Sequence, residues 1–503
     1  MSFAKNVIAS YASQIYVTLA GIVMVPVYIR YMGIESYGLV GFFTLIQLLW
    51  FHLLDVGLTQ AILRETARFK GGESDALSLR RLLRSLEGIF AGIALTGALL
   101  MMAGSATIAS DWLSVEKLPF EEVRQSIMLM AAIVGIRFVA GLYRGVINGF
   151  EQLVWLNGFN VVIATIRFVL VIPYFIYVGS SPTHFFAYQL FVAVLELLVV
   201  ASKTYALFPE MAGGMRITWH WKPVQGIFKM SLGLAFSAAA WTMVTQVDKL
   251  ILSTLLPLGD YAYFMLAVTV ASGVMIVSTP ISYALVPRLT SLAAAGDEAG
   301  LFLLYRKATQ IMGMIAVPAA VVLAFFSEQV LWAWTGDIEI AQKAGPILSL
   351  YALGNGVLAL AAFPYYLQFA KGDLKLHLIG CGLYVVLFVP VLVWATVNYG
   401  AIGAGYAWLS INIVSFVLWA PKVHRRFSKG LHRQWLLRDV SPTLCLALGG
   451  AALAQTLVHW PQERLSAAIS LSLVGMVLLT VSSFGSAWMR ENLVARWNAK
   501  FSR

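Results

Sequence analysis

Three arginines stand inside long apolar stretches of this 503-residue sequence, namely Arg137, Arg144 and Arg167. Arg137 and Arg144 are seven residues apart, so on a helix they share one face with a separation of about 10 Å. A guanidinium binds phosphate oxygens bidentately and keeps its charge at physiological pH. The pattern therefore predicts a cationic stripe that lines a cavity for an anionic ligand; internal bracing is the alternative.

Carboxylates also occur inside apolar stretches. Glu196 lies at a similar predicted depth to Arg167, so an ion pair between them is the alternative to ligand binding by Arg167. Asp248 and Lys249 are adjacent and point about 100° apart on a helix, so one can face a cavity and the other a neighbouring helix. Because burial favours the neutral carboxyl, we predict Asp55, Glu196 and Asp248 as candidates for ion or proton coupling, with simple pairing to a cation as the alternative.

Several classes of function are excluded by what the sequence lacks. It has no phosphate-cradling GxxxxGK[ST] motif and no histidines at metal-ligand spacing, so we expect neither a nucleotide-driven motor nor a metal or other cofactor. The longest predicted outer segment, 109–125, contains no His or Cys, which argues against an enzyme. The net charge of +11 is spread between apolar stretches rather than along one solvated face, so we expect no nucleic-acid partner.

The elements that position these charges are membrane spans. Hydrophobic residues make up 60% of the chain and charged residues only 12%, whereas soluble domains are about a quarter charged. The apolar runs are long enough to cross a bilayer of about 30 Å. The sequence predicts an all-α polytopic membrane protein with fourteen spans: 8–30, 37–60, 86–108, 126–149, 155–178, 184–208, 226–256, 262–285, 308–330, 345–370, 376–399, 401–421, 439–460 and 465–488.

The basic residues between the spans predict their orientation. With the N-terminus inside, 24 Lys and Arg fall in inner segments, and only Lys117, Arg124, Lys343 and Arg464 fall outside. By the positive-inside rule this bias places both termini in the cytoplasm.

A weak internal repeat divides the chain. At an offset of 224 residues, "MGIESYGLV" (32–40) falls on "LPLGDYAYF" (256–264), and Arg64 falls on Arg288. Equal topology in both copies predicts two pseudo-symmetric six-helix lobes around a central cavity, 1–210 and 220–421, with an additional helix pair at 436–490. Such lobes suit alternating access, and Arg64 and Arg288 are predicted to flank the cytoplasmic mouth.

Four segments together resemble a known family: "YMGIESYGLVGFFTL", "LLDVGLTQAILRETARFKGG", "WTMVTQVDKLILSTLLPLGDYAYF" and "PISYALVPRLTSLAAAGDEAGL". They are similar to the polysaccharide transporter branch of the multidrug/oligosaccharidyl-lipid/polysaccharide exporter superfamily, and in particular to O-antigen (Wzx-type) flippases. The resemblance covers about residues 1–430. It implies a bacterial inner-membrane flippase that moves an undecaprenyl-pyrophosphate-linked oligosaccharide to the outer leaflet.

That resemblance also implies partners and leaves alternatives. The expected partners are the lipid-linked oligosaccharide, the bilayer, and a polysaccharide polymerase with its chain-length regulator. Arg64, Arg137, Arg144, Arg167, Arg288 and Lys249 are the candidate cavity cations. A lipid-linked peptidoglycan precursor flippase, a cation-coupled small-molecule exporter and a membrane glycan polymerase or transferase remain alternatives. The precursor flippases carry arginines on their first two helices, whereas the first helix here has none before Arg30.

Overall fold

The computed structural model describes residues 3–208, 239, 241–461 and 463–491, and the named elements in those ranges are all helices. Twelve of the described helical segments are long and apolar enough to cross a membrane. The chain is therefore an all-helical, multi-pass membrane protein. One of the twelve, Lys375–Phe427, has 53 residues and contains Gly400 at φ 62°, between the predicted spans 376–399 and 401–421. Part of the predicted span 226–256 lies outside the described residues, and the count of fourteen stays a prediction.

Two compact units divide the chain, Met1–Ala262 and Tyr263–Arg503, and each is described by itself. The lobe boundaries predicted from the repeat stay predictions. The helices that begin in the first unit are α1 (Phe3–Met32), α2 (Ile34–Leu54), α3 (Leu58–Lys70), α4 (Ala76–Ala103), α5 (Phe120–Gly149), α6 (Leu153–Ala164), α7 (Val171–Tyr177), α8 (Pro182–Leu207), α9 (241–255) and α10 (Leu258–Ala271).

The second unit continues from α10 and contains nine further named helices among its described residues. They are α11 (Gly273–Ala294), α12 (Glu298–Phe325), α13 (Ser327–Thr335), α14 (Ile338–Lys371), α15 (Lys375–Val414), α16 (Ala420–Phe427), α17 (Leu431–Gln434), α18 (Ser441–Leu457) and α19 (Arg464–Ser483). A π-helical turn, Trp435–Val440, joins α17 to α18.

Local sequence signals explain where several helices begin. Asp75 precedes α4 and its side chain accepts a hydrogen bond from the Ser78 amide, as an N-cap aspartate does. Ser181 caps α8 in the same way, and Pro182 occupies the first helical position, where its missing amide proton is not needed. These two helices carry or support the charged site described below.

The predicted span 37–60 is interrupted in the structure. Helix α2 ends at Leu54, and α3 begins at Leu58 after two residues with positive φ, Val56 at 48° and Gly57 at 76°. Asp55 lies at this break rather than inside a helix. Its carboxylate accepts hydrogen bonds from the hydroxyl and the amide of Thr59, at 2.5 and 3.1 Å, and so caps the first turn of α3.

The helix boundaries agree with the internal repeat. Helix α2 begins at Ile34 and α10 begins at Leu258, and α3 ends at Lys70 where α11 ends at Ala294. Both pairs differ by the 224 residues that align the two segments in the sequence. The repeat therefore extends to the ends of these helices, although the sequence identity between the copies is thin.

The packing of α5 depends on small residues. A Cβ built at Gly149 would lie 2.5 Å from the Thr66 Cβ and 2.6 Å from the Leu63 carbonyl oxygen of α3. The backbone oxygen cannot move without bending α3. Gly149→Val is therefore expected to lower the free energy of unfolding by about 1–3 kcal/mol through overpacking. Thermal unfolding of the purified protein measures the change.

Gly158 provides the matched control for that substitution. It is also helical, but a Cβ there meets nothing within 4 Å. Gly158→Ala should leave the midpoint unchanged or raise it slightly, since alanine is the better helix former by about 1 kcal/mol. Equal midpoints for the wild type and Gly149→Val would contradict the close approach of α3 and α5.

Candidate functional site

The arginines predicted to do chemistry meet around a single carboxylate. Helix α5 packs along α8 and carries Arg137 and Arg144, while α8 carries Glu196. Arg144 Nη2 and Nε lie 2.6 and 3.2 Å from Glu196 Oε1. Arg167 Nη2 lies 3.5 Å from Glu196 Oε2, and Arg137 Nε lies 3.9 Å from the same oxygen.

A break in the regular helix places Arg167. It belongs to a π-helical turn, Thr165–Val169, which follows α6 and precedes α7. Such turns insert an extra residue into a helix and are frequent at functional sites. The turn offers a backbone acceptor as well, because Gln189 of α8 donates its side-chain amide to the Arg167 carbonyl at 3.1 Å.

Neutral side chains support two of the arginines. Arg137 donates to the amide oxygen of Gln47 at 2.9 Å and to that of Gln189 at 3.1 Å, and its side chain is 7% exposed. Arg144 donates to Asn160 at 2.5 Å. Hydrogen bonds from neutral amides hold a guanidinium in place without neutralising it, so these contacts preserve the positive charge of the site.

The site keeps a net positive charge because three guanidinium groups share one carboxylate. Within the described residues, the Arg167 side chain donates no hydrogen bond, and its Nε is buried without a partner. Glu196 Oε2 likewise accepts no hydrogen bond. A buried cation with unused donors is costly unless an anion can reach it, which makes Arg167 the arginine best prepared to bind a ligand.

A polar cavity of about 570 Å³ opens beside these charges. Arg144, Arg167 and Glu196 reach it from one side, and hydroxyl and amide side chains of α1 and α6 complete its wall. The other residues that line the cavity are Ser10, Ser13, Gln14, Val17, Thr18, Asn148, Leu153, Leu156, Asn157, Asn160, Ile163 and Ala164. Charged groups for an anion and hydroxyl or amide groups for sugar hydroxyls thus share one space.

The predicted site residues fall into different places. Arg137 is not among the residues that line this cavity, and it lies behind Arg144 on α5. The Arg167–Glu196 pair, weighed against ligand binding, is present together with cavity exposure of both residues. Their predicted roles in binding or coupling stay predictions.

The remaining predicted residues lie elsewhere in the chain. Lys249 and Asp248 pair with each other, at 3.1 Å between Nζ and Oδ1, and Lys249 also donates to the Thr245 carbonyl at 2.8 Å. Arg64 is exposed on α3, and Arg288 is exposed on α11. For all four residues the proposed transport roles stay predictions.

Sequence reasoning missed the neutral half of the cavity wall. Asn157 and Asn160 were not singled out, yet Asn157 donates to the Ser10 hydroxyl at 2.8 Å and accepts at its backbone oxygen from Ser13 at 3.1 Å. Residues 157, 160, 164 and 167 recur at helical spacing, and all four line the cavity. The face test that found Arg137 and Arg144 would have found this stripe too.

Comparisons with known proteins give a consistent result. A family model described as polysaccharide biosynthesis protein matches residues 3–293. A Shigella flexneri protein described as an O-antigen transporter is 22% identical over 416 residues, which cover 82% of this chain and 96% of that protein. The relatives found in this way are transporters rather than enzymes.

Two solved structures share the fold. The first is the lipid II flippase MurJ in an inward closed conformation, at 15% identity and a TM-score of 0.72, with 98% of this chain and 100% of that chain covered. The second is an inward-facing multidrug resistance MATE family transporter of the MOP superfamily, at 17% identity and a TM-score of 0.67, covering 83% and 96% of the two chains. At these identities the likeness concerns the fold alone.

Proposed function

Because the chain belongs to the polysaccharide biosynthesis protein family, we propose that it is a flippase for a lipid-linked oligosaccharide. The substrate is an undecaprenyl-pyrophosphate-linked repeat unit, which moves from the cytoplasmic to the periplasmic leaflet of the bacterial inner membrane. Both termini face the cytoplasm, in keeping with the charge bias of the loops. A polysaccharide polymerase with its chain-length regulator would consume the product.

The observation that carries this proposal is the surplus of positive charge beside a polar cavity. Three arginines share Glu196, so two positive charges are left over for an anionic ligand. A pyrophosphate that enters low dielectric needs such cations, and the fork geometry of arginine suits phosphate oxygens. The Ser, Gln and Asn side chains of the wall are suited to hydrogen-bond sugar hydroxyls.

The arrangement also suggests how substrate is held and released. Arg167 binds the pyrophosphate first, since it donates no hydrogen bond within the described residues. Glu196 then competes with the pyrophosphate for Arg144 and Arg167, which keeps binding from becoming too tight for release. In the proposed alternating access of two six-helix lobes, Arg64 and Arg288 meet the headgroup at the cytoplasmic mouth, and Lys249 is a further cation of the path.

Coupling to an ion or proton gradient belongs to the same proposal. Glu196 is the first candidate because it touches the arginines that would bind substrate; Asp55 and Asp248 are the others. Their described contacts, with Thr59 and with Lys249, are compatible with structural roles as well.

A second candidate function is transport of a lipid-linked peptidoglycan precursor. The likeness to the lipid II flippase over nearly the whole chain favours it, but only at the level of the fold. Both substrates carry a lipid pyrophosphate, so the arginine site serves either one. The glycan separates them, and an assay with each purified lipid would decide.

Arg167→Gln and Arg144→Gln test the proposal. Each substitution removes one of three cations and leaves Glu196 paired with the other two, so the protein should still insert and fold. We expect surface polysaccharide to fall at least about tenfold in a complemented deletion strain, which corresponds to one lost charge-assisted hydrogen bond. Membrane protein levels are measured alongside.

Arg124→Gln is the matched control. Arg124 lies on the same helix as Arg144, but it is exposed and pairs with Glu121 one turn earlier. It should support wild-type polysaccharide levels. Normal export by both Arg167→Gln and Arg144→Gln would overturn the assignment of this cavity, and loss of drug tolerance without loss of glycan would favour a small-molecule exporter.

A further inference from the structure

A second cationic cavity lies in the other unit, at the start of the candidate membrane span Leu431–Leu457. Its volume is about 450 Å³, and it is lined by Gly430, Arg433, Gln434, Leu437 and Arg438. These residues belong to α17 and the π-helical turn that follows it. The flippase proposal gives them no role beyond that of topology anchors.

The inner face of this segment is firmly anchored. Trp435 is fully buried and donates its indole N–H to Thr309 of α12 at 3.0 Å. Asp439 is also buried, and Arg306 of α12 approaches its two oxygens at 2.7 and 3.1 Å. Gln310 donates to Asp439 at 2.7 Å. The backbone that carries the cavity is thereby fixed in position before any ligand arrives.

The outer face presents cations and an apolar side chain together. Arg433, Gln434, Leu437 and Arg438 are all exposed, while the residues between them on the helix are buried. Leu437 is 54% exposed although it stands beside two guanidinium groups. A surface that offers two positive charges and an apolar side chain around one cavity fits an amphiphilic anion better than a small soluble one.

Arg433 and Arg438 also differ from the other cations of the inner segments. Arg68 pairs with Glu65 and Glu73, and Arg426 lies 3.3 Å from Asp373. Among the described residues, neither Arg433 nor Arg438 has a carboxylate within 4.0 Å, because the adjacent Asp439 is engaged by Arg306. Their charges are thus left for an external anion.

We propose that this cavity binds the headgroup of an anionic phospholipid of the cytoplasmic leaflet. Arg433 and Arg438 contact the phosphate oxygens, and Leu437 contacts the start of an acyl chain. The position agrees with this occupant, since one end of a membrane span is where headgroups lie and basic residues there attract anionic lipids. Because Trp435 and Asp439 connect the segment to α12, lipid occupancy would stabilise the attachment of the C-terminal helix pair.

The test uses the full-length chain, purified in a neutral detergent, and native mass spectrometry of bound lipid. Phosphatidylglycerol and phosphatidylcholine are titrated separately, and inorganic phosphate is added in a third arm. The variant Arg433→Gln/Arg438→Gln is compared with Arg425→Gln/Lys429→Gln. The second pair removes the same charge from the same loop but does not line the cavity.

We expect the wild type to retain phosphatidylglycerol in preference to phosphatidylcholine. The Arg433→Gln/Arg438→Gln variant should lose this affinity roughly tenfold relative to the control pair. Leu437→Ser should weaken retention of the lipid and leave any weak phosphate binding unchanged. Equal losses in both double variants would overturn the site in favour of diffuse attraction, and displacement of the lipid by millimolar inorganic phosphate would overturn the lipid as its occupant.

Discussion

Glu196→Gln is expected to lower the apparent free energy of unfolding by about 3–5 kcal/mol, which is the range for breaking a buried ion pair by removing one partner. The carboxylate is 7% exposed and is the common partner of Arg137, Arg144 and Arg167. Without it, three guanidinium groups are left close together with no anion among them. Their mutual repulsion adds to the desolvation of each. Thermal unfolding in detergent, followed by fluorescence-detected size exclusion, measures the effect.

Two comparisons make this result specific. Glu151→Gln removes an exposed carboxylate whose pKa is lowered by a hydrogen bond from Lys70, and it should change stability by less than about 1 kcal/mol. Combining Glu196→Gln with Arg144→Gln should recover part of the loss, because one of the unpaired cations is removed. An unchanged midpoint for Glu196→Gln alone would show that the arginines do not depend on this carboxylate.

The site therefore predicts an asymmetry between its charges. Removing a cation relieves repulsion and leaves Glu196 satisfied, so Arg167→Gln should affect transport more than folding. Removing the anion should affect folding first. This contrast separates a ligand-binding cluster with surplus charge from a balanced structural ion pair, in which either substitution destabilises to a similar degree.

Composition was enough to find the charged members of the site. An arginine in an apolar run is expensive in a membrane, so Arg137, Arg144 and Arg167 stood out without any structural information. Their convergence did not follow from the sequence, because it depends on the packing of α5 against α8 and on a π-helical turn at 165–169. Helical periodicity assumes regular geometry, and such a turn changes the direction of every side chain within it.

The helices themselves were largely predictable from apolar length, but their breaks were less so. The interruption at Asp55 depends on positive φ at Val56 and Gly57, and only the glycine signals such a conformation in a sequence. The Gly400 break was predicted as the gap between two spans, since one apolar run was too long to cross once. Local chemistry thus indicates where a helix can end, and tertiary packing decides where it does.

Asp439→Asn is the second substitution with a large expected effect, about 3 kcal/mol of apparent stability. The Asp439 side chain is fully buried and accepts from Arg306 at both oxygens and from Gln310. Gln310 in turn accepts from Ser486 and from the Trp488 amide, both at 2.8 Å. An asparagine would present an amide donor towards Arg306 and leave the guanidinium without its counter-charge.

The predicted loss is local as well as global, because this network connects the C-terminal helices to α12. Hydrogen exchange should therefore accelerate in α18 and α19 before it does in α14. Asp373→Asn is the control, since Asp373 forms a more exposed pair with Arg426 in the same unit, and less than about 1 kcal/mol is expected there. Uniform acceleration across the unit would contradict a local attachment. Retained protection in α18 and α19 would show that apolar packing alone holds the pair, which the contacts of Val440, Ala447 and Ala451 within the buried core could only achieve if the Asp439 network were dispensable.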